Sequence, residues 1–318
     1  MTPYLNLPPL LWEPVVRTAL MEDLGIGGDV TTQALAQPGQ QLHAVFRSRQ
    51  DGVLCGLEGA RQAFAILDPT VRFSIVKHDG SQIAQGDVVA TVEGNASALL
   101  AGERTALNLL SHLSGIATHT HHIVQAVAGT KARVACTRKT LPGLRSLQKY
   151  AVRAGGGSSH RLRLDDAILI KDNHIALYGG NIEKALQAAR QYAGHLMKVE
   201  LEVDTLEQLE QALSCVGADV YLLDNMPLPQ LEQAVRMIGG RALAEASGGI
   251  TLKTARAIAQ TGVDVLSLGW LTHSVHALGI GLDIVHTCVP ALSLRYACLP
   301  PNMAKRRSSG ILPARHAI

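Results

Sequence analysis

The sequence has few aromatic residues and no long apolar run. Its 318 residues include three Phe, two Trp and six Tyr, so few rings are available to stack on nucleic-acid bases. No charge-free apolar run reaches the roughly eighteen residues that a membrane-spanning helix needs. We therefore expect a protein that binds neither nucleic acid nor a membrane. With 47% hydrophobic residues, the chain can still build a sizeable core.

The five cysteines are scattered and include no C-x-x-C pair. They lack the paired spacing that is typical of zinc and redox sites. The N-terminal segment contains Glu13, Glu22 and Asp23 and does not have the pattern of a cleaved signal. We expect reduced thiols in a protein core and a cytoplasmic location.

Acidic residues are missing from a long interval in the middle of the chain. Ten Lys and Arg lie between Glu103 and Asp165 without a single Asp or Glu, although the formal net charge of the whole chain is only +3. Solvated surfaces usually mix both signs, so this interval favours a binding site for a small anion over a plain basic helix surface.

The pattern of apolar residues changes near residue 95. Residues 95–127 have a long helical periodicity, which predicts a helix that links two parts. After residue 133, six short apolar runs alternate with helical segments, which predicts parallel strands joined by crossover helices. Before residue 95 we predict a small α+β unit, with helices at 11–24 and 57–68 and β-type runs at 42–49, 71–78 and 87–94.

Polar or glycine residues follow or end each of the six predicted parallel strands. In an α/β barrel the carboxyl ends of the strands form the catalytic face, so these residues would converge on one mouth. Six strands instead of eight predict an irregular or incomplete barrel. The strand ends supply Arg138 and Lys139 after VACT, Lys171 after AILI, Glu200 and Glu202 in KVELEV, Asp224 after VYLL, Ser247, Gly248 and Gly249 after ALAEA, and Gly269 after VLSL.

Basic residues near these strand ends suit a ligand with several negative charges. Arg can bind a carboxylate or phosphate in a bidentate manner and Lys adds a compact charge. By contrast, Arg145, Lys149 and Arg153 are spaced four apart on a predicted helix, and we expect them to pair with local acids. The predicted ligand-binding group is Arg138, Lys139, His160, Arg161 and Lys171.

Three further patterns have two interpretations each. Glu202 and Asp224 could hold Mg²⁺ or ribose hydroxyls, or serve as salt-bridge partners, and spacing alone does not separate Glu202 from Glu200. ASGG at 246–249, followed by a helix, could bind a phosphate through backbone N–H groups, with SLGWLTHS on a second side. THTHH at 118–122 has no acid or cysteine to complete a metal shell, so we expect ordinary core or surface histidines.

Taken together, these residues closely resemble the quinolinate phosphoribosyltransferase family of type II phosphoribosyltransferases, also called carboxylating nicotinate-nucleotide pyrophosphorylases. The resemblance runs from about residue 10 to 288 in the order of the family motifs. The matching stretches are EDLGIGGDVTT, GERTALNLLSHLSGIAT, TRKTLPGLRSLQKYAV, GGGSSHRLRLDDAILIKDNHI, ELEVDTLEQL, LLDNM, EASGGI and SLGWLTHS.

The resemblance implies an α/β fold with two domains. An N-terminal α/β sandwich-like domain would cover 1–103 and be joined by a last helical segment near 275–290, and an incomplete α/β barrel would cover 104–274. It implies phosphoribosyl transfer from phosphoribosyl pyrophosphate to quinolinate with decarboxylation, in de novo NAD biosynthesis, with Mg²⁺. A homodimer would share its active sites, because the N-terminal domain of one subunit covers the barrel mouth of the other.

The resemblance also implies a role for each site residue. Lys139, Lys171, Glu202 and Asp224 would be catalytic, and Glu202 and Asp224 would also hold Mg²⁺, directly or indirectly. Arg104 would come from the partner subunit to the carboxylates of quinolinate. The substrate-binding residues implied are Arg104, Thr137, Arg138, His160, Arg161, Ser247, Gly248, Gly249, Ser267 and Gly269.

Two departures and three alternatives remain. Arg163 stands where many relatives have glycine, and 291–318 matches nothing in the family and has the composition of a disordered basic tail. The alternatives are a phosphoribosyltransferase for another base, such as nicotinate or the base of a molybdate-locus paralogue, a barrel lyase that forms a Schiff base on Lys171, and a non-catalytic anion-binding protein.

Overall fold

A computed structural model describes residues 7–285, and its first part is a small sheet with three helices. Pro9 begins the first helix, two residues before the predicted start, because proline lacks only an N–H that the first helical turn leaves unpaired. Asp29 caps the second helix by accepting the Thr32 N–H at 3.0 Å. The elements are α1 Pro9–Leu24, α2 Val30–Leu35, β1 Gln41–Ser48, β2 Gly52–Val53, α3 Leu57–Leu67, β3 Arg72–Ile75, β4 Gln82–Ile83 and β5 Val88–Asn95.

The second part alternates strands and helices after one long helix. The helix α4 confirms the predicted link between the two patterns, and Asn95 caps it through the Ser97 N–H. The elements are α4 Ala96–Ala126, β6 Arg133–Cys136, α5 Arg145–Ala154, β7 Ser158–Ser159, β8 Ile168–Ile170, α6 Asp172–Ala176, α7 Ile182–Tyr192, β9 Val199–Val203, α8 Leu206–Leu213, β10 Val220–Asp224, α9 Leu228–Ile238, β11 Leu243–Ser247, α10 Leu252–Gln260, β12 Val265–Ser267 and β13 Ile280–Ile284.

The strands from β6 to β12 form a curled parallel sheet in the order β7-β6-β12-β11-β10-β9-β8. Within the described residues, the two edge strands β7 and β8 do not pair with each other, so the barrel stays open. This confirms the incomplete barrel. The structure corrects the number of strands from six to seven, because β7 is two serines and carries no apolar signal.

Near residue 280 the chain returns to the first sheet. β13 pairs antiparallel with β1, and the sheet order is β13-β1-β5-β3. A helical segment was expected near 275–290; up to residue 285 the structure has the strand β13 instead, and 286–290 lies outside the described residues. The expected tail, 291–318, lies outside the described residues. The domain boundaries at 103 and 274 stay a prediction.

Three apolar clusters form the core. One lies between the curled sheet and its helices, and one fills the first part of the chain. The third lies around α4 and α5, where the Trp12 and Tyr150 rings meet edge to face at 5.5 Å. All three phenylalanines of the chain lie in the second cluster, where the Phe46 ring centroid is 6.0 Å from Phe64 and 5.7 Å from Phe73.

The packing of α5 against α4 sets the position of the strand that follows α5. A Cβ on Gly155 would lie 2.3 Å from the Ala117 carbonyl oxygen, so only glycine allows this approach. The chain then enters β7 and reaches His160. Cys55 and Cys136 are buried free thiols as expected, whereas Cys215 is partly exposed. Among residues 7–285, no helix combines the length and apolar character needed to cross a membrane.

Candidate functional site

A cavity of about 340 Å³ lies at the carboxyl ends of the barrel strands, and we call it the barrel cavity. The strand ends converge there because neighbouring strands are parallel and in register. Its lining is polar at most positions and combines basic side chains, carboxylates and hydroxyls. The lining residues are Thr137, Arg138, Lys139, His160, Arg161, Leu169, Lys171, Glu202, Leu222, Asp224, Glu245, Ser247 and Ser267.

Two guanidinium groups in the barrel cavity lack protein partners at a buried atom. The Nε atoms of Arg138 and Arg161 are buried and have no hydrogen-bond acceptor among the described residues. Arg161 is anchored at its other end, where Nη1 donates to the Ala167 carbonyl at 2.9 Å. Burial, together with the nearby charge of Arg138, lowers the pKa of Arg161. Buried unpaired donors of this kind suit an anionic ligand.

His160 is held from two directions. Lys149 on α5 is buried and donates from Nζ to the His160 carbonyl oxygen at 2.9 Å. On the ring, Nε2 lies 2.8 Å from Glu200 Oε2 and 3.7 Å from Glu245 Oε1. Burial alone would lower the pKa of His160, but the hydrogen bond to Glu200 and the charges of Glu200 and Glu245 outweigh it and raise the pKa.

The structure separates the two acids that spacing left unresolved. Glu202 lines the barrel cavity and accepts a hydrogen bond from Lys171 Nζ. Glu200 is 6% exposed and lies beside His160 instead. Asp224, at the end of the adjacent strand, also lines the cavity and accepts from Asn225 Nδ2 at 2.7 Å. Two carboxylates at neighbouring strand ends are the hard oxygen ligands that Mg²⁺ prefers, so the residues fit that ion.

The glycine side of the site is tightly built. Gly248 has φ +91°, and a Cβ there would lie 2.1 Å from Asn225 Oδ1, so no other residue fits without a shift. Ser247 and Ser267 line the barrel cavity directly. Gly249 also has a positive φ and precedes α10, whose first turn is capped by Thr251. This arrangement of hydroxyls and backbone beside a helix start suits a phosphate group.

The loop after β6 carries three predicted residues, Thr137, Arg138 and Lys139, and hydrogen bonds connect it to its neighbours. Lys139 N–H donates to Thr137 Oγ1 at 3.0 Å, and Thr272 Oγ1 donates to the Lys139 carbonyl at 2.8 Å. Gly269 leaves room for the lysine, since a Cβ there would lie 2.8 Å from Lys139 Cδ. Lys139 is thereby directed toward the cavity between the basic and glycine sides.

Some predicted residues lie elsewhere. Arg104 is exposed on α4 and does not line the barrel cavity, so its role stays a prediction. The expected pairing of the α5 residues with acids is wrong for Arg145 and Lys149, because neither forms an ion pair within residues 7–285. Arg145 Nε donates to Thr140 Oγ1 at 3.0 Å, and Lys149 binds a carbonyl.

The histidines of THTHH behave as expected. His119 packs edge to face on Trp270, at 6.0 Å between ring centroids, and His121 lies 3.1 Å from the Gln82 side-chain nitrogen. In the described part of the chain, the group of side chains able to share a metal is His160, Glu200 and Glu245. His160 and Glu200 already share a hydrogen bond, and Lys149 lies close to His160, so a cation is less favoured there than at Glu202 and Asp224.

Sequence reasoning missed Glu245. It is a single acid inside the apolar run ALAEA, and it points into the barrel cavity with 4% exposure. A charged residue in the middle of an otherwise buried strand was the available signal, because such a residue is rarely buried without a partner. Leu169 and Leu222 also line the cavity and carry no such signal.

Comparisons with known proteins agree over most of the chain. Family models for the N-terminal and C-terminal domains of quinolinate phosphoribosyl transferase match residues 29–114 and 116–283. The chain is 47% identical over 276 residues to the carboxylating nicotinate-nucleotide pyrophosphorylase of Mycobacterium leprae, covering 85% of this chain and 95% of that protein. It is 39% identical over 287 residues to the decarboxylating quinolinate phosphoribosyltransferase 1b of Nicotiana tabacum, covering 85% and 81%.

A solved structure gives the same result for the fold. The crystal structure of the nicotinate-nucleotide pyrophosphorylase from Ehrlichia chaffeensis superposes with a TM-score of 0.82 at 39% identity. The match covers 86% of this chain and 98% of that one.

Proposed function

Because the chain belongs to the quinolinate phosphoribosyltransferase family, we infer that it transfers the phosphoribosyl group of phosphoribosyl pyrophosphate to quinolinate. The products are nicotinate mononucleotide, pyrophosphate and carbon dioxide, in the biosynthesis of NAD. The relatives' names confirm the family, the reaction and the enzyme class that the sequence predicted. The individual site residues, the metal, the dimer and the cytoplasmic location remain part of this proposal.

The basic side of the barrel cavity is the proposed quinolinate site. The observation that carries this assignment is the pair of buried, unpartnered Nε atoms of Arg138 and Arg161 beside His160. Two guanidinium groups and an imidazole match a ligand with two carboxylates better than one with a single carboxylate. Quinolinate has two, whereas nicotinate has one, so this geometry favours quinolinate as the base.

The glycine side is the proposed site for the 5′-phosphate of phosphoribosyl pyrophosphate. Ser247, Ser267 and the backbone around Gly248 and Gly249 would bind it, with Gly269 leaving space for Lys139. Glu202 and Asp224 would then face the ribose, and they are the residues that would hold Mg²⁺. When bound, the ion would neutralise part of the negative charge of the pyrophosphate group.

Catalysis in this arrangement rests on position and electrostatics. The C1–O bond to pyrophosphate breaks, Lys139 stabilises the leaving charge, and the pyridine nitrogen attacks the oxocarbenium-like ribose carbon. Arg138, His160 and Arg161 hold the ring so that its nitrogen faces that carbon. The ring carbon beside the quaternised nitrogen then loses carbon dioxide, keeps the electron pair and takes up a proton.

The Schiff-base alternative is disfavoured by the partner of Lys171. Its Nζ forms an ion pair with Glu202, so this side chain is already held by a carboxylate and is not free to approach a carbonyl. Lys171 is therefore proposed to contact anionic substrate, with Glu202 setting its position.

Turnover tests the function. Purified protein with quinolinate, phosphoribosyl pyrophosphate and Mg²⁺ should release nicotinate mononucleotide and carbon dioxide in equal amounts, and nicotinate should not replace quinolinate. Product from nicotinate, or no product from folded protein, would contradict the assignment.

A shared active site can be tested separately. Arg104 is exposed and outside its own chain's cavity, which fits a residue donated to a partner subunit. Arg104→Ala and Lys171→Ala should each be inactive, and a mixture of the two should regain about a quarter of wild-type activity, because half of the dimers then have one intact site. A mixture as inactive as its components would contradict the shared site.

A further inference from the structure

Two buried carboxylates face one nitrogen of His160. Glu200 Oε2 lies 2.8 Å from His160 Nε2, and Glu245 Oε1 lies 3.7 Å from the same atom. Glu245 is 4% exposed and lines the barrel cavity, and its Oε1 has no hydrogen-bond partner among the described residues. The structure therefore places a second acid, with one oxygen unpartnered among the described residues, beside a residue of the proposed quinolinate site.

These two acids affect which nitrogens of the His160 ring carry a proton. A carboxylate only accepts hydrogen bonds, so Nε2 must carry a proton in its bond to Glu200. In a neutral ring Nδ1 would then be a bare acceptor, and it would repel a substrate carboxylate. Only a doubly protonated His160 can donate from Nδ1 to the ligand that the barrel cavity is built to bind.

We propose that Glu245 is a positioning residue that, together with Glu200, holds His160 as an imidazolium whose Nδ1–H binds a carboxylate of quinolinate. This inference rests on the proposed function. Glu245 acts through the ring of His160 and takes no part in bond making or breaking. Lys149 helps to position the same residue, because its Nζ donates a hydrogen bond to the His160 backbone carbonyl oxygen.

The charged groups around the ring decide how this arrangement depends on pH. They are Lys149 from α5, Glu200 from β9 and Glu245 from β11, with Arg161 next in the chain. Burial, and then the charge of Glu200, raise the pKa of Glu245 to about 7, while His160 opposes the shift. Glu245 is therefore protonated in acid and ionised in base, so its support for the imidazolium is greatest above neutral pH.

Glu245→Gln tests the proposal, since it keeps the shape of the side chain and removes only the charge. At about pH 6 the variant should match wild type, because Gln resembles the protonated acid. At about pH 8.5 its KM for quinolinate should be roughly tenfold higher, with KM for phosphoribosyl pyrophosphate within about twofold. Glu232→Gln, at an exposed ion pair on α9, is the matched control and should follow wild type at every pH.

A titration of the ring gives a readout that needs no turnover. In protein with isotope-labelled histidine, the signal lost in His160→Gln identifies His160, whose pKa should lie above the ordinary range in wild type. Glu245→Gln should lower it by about one unit. This measurement distinguishes failure of the inference from failure of the proposed function, which the wild-type turnover assay decides.

Three results would overturn the inference. One is a neutral His160 in the wild-type protein at pH 7, which decides the matter even if Glu245→Gln does not fold. Another is an unchanged His160 titration in a folded Glu245→Gln. The third is an equal rise of both KM values at all pH, which would indicate general damage to the barrel instead of a lost charge at His160.

Discussion

The acid-free interval, together with the strand end that follows it at Lys171, holds two groups of basic residues with different surroundings. The cavity group is Arg138, Lys139, His160, Arg161 and Lys171, all of which line the barrel cavity. The helix group is Arg145, Lys149 and Arg153 on α5. Within the cavity group, Arg138 and Arg161 keep buried donors that have no acceptor among residues 7–285, whereas Arg145 and Lys149 of the helix group donate to protein oxygens.

This difference indicates which basic side chains are available to bind a ligand. Strand ends of a parallel sheet point to one place, so their side chains converge on the cavity. Among the described residues, Arg138 and Arg161 each keep a buried donor there that can bind an anion from solution. Side chains four apart on a helix face one direction and meet the loops packed there. What separates these two pairs of side chains is whether a protein oxygen lies within reach of the donor among the described residues.

Replacement of Arg138 should have the largest effect. In Arg138→Ala, kcat/KM for quinolinate should fall roughly 100- to 1,000-fold, because the substrate loses a buried charged partner. Thermal stability should be unchanged, since the buried Nε has no protein acceptor. Arg236→Ala, on exposed α9, is the matched control for loss of a guanidinium. Unaltered steady-state kinetics would remove Arg138 from the site.

Lys149→Met should have an intermediate effect, and it tests whether a residue of the helix group also supports the quinolinate site. Lys149 belongs to the helix group but holds the His160 carbonyl at 2.9 Å. Its loss should reduce kcat/KM for quinolinate about tenfold, the equivalent of one hydrogen bond to a charged group, without a similar change for phosphoribosyl pyrophosphate. Equal losses for both substrates would indicate that Lys149 supports the barrel in general and not His160.

Arg145→Ala should act mainly on stability. Its guanidinium joins Thr140 and, at 3.4 Å, the Leu162 carbonyl, so it ties together the loops on either side of α5. Urea titration should give a free energy of unfolding lower by about 0.5–1.5 kcal/mol, with quinolinate kinetics within about threefold of wild type. A loss as large as that of Arg138→Ala would place Arg145 in the site.

Arg163→Ala should have the smallest effect. Arg163 is exposed and does not line the barrel cavity, although it lies two residues after Arg161. Both KM values should stay within about twofold of wild type, because an exposed charge near the mouth is screened by salt. A selective change in quinolinate KM at low salt would show that this charge guides the substrate.

The strands with apolar signals and their polar ends were predictable from the sequence. VYLL and ALAEA alternate with segments that have a clear helical periodicity. This alternation predicted the parallel barrel and placed Asp224 and Ser247 at strand ends. β7 and β13 were not predicted, because two serines have no apolar pattern and the pairing of β13 with β1 joins residues far apart in the chain.

By itself the sequence determined the α/β class, the incomplete barrel, the family and most of the residues that line the barrel cavity. These features follow from local periodicity and from motifs, both of which can be read from residues that are close together in the sequence. Only the tertiary structure decided that Glu202 faces the cavity while Glu200 lies against His160. It also decided that Glu245 lies near the same ring nitrogen and that Lys149 donates a hydrogen bond to the His160 carbonyl oxygen. Each of those outcomes depends on distances between separate strands and helices, and the spacing of residues along one strand holds no information about them.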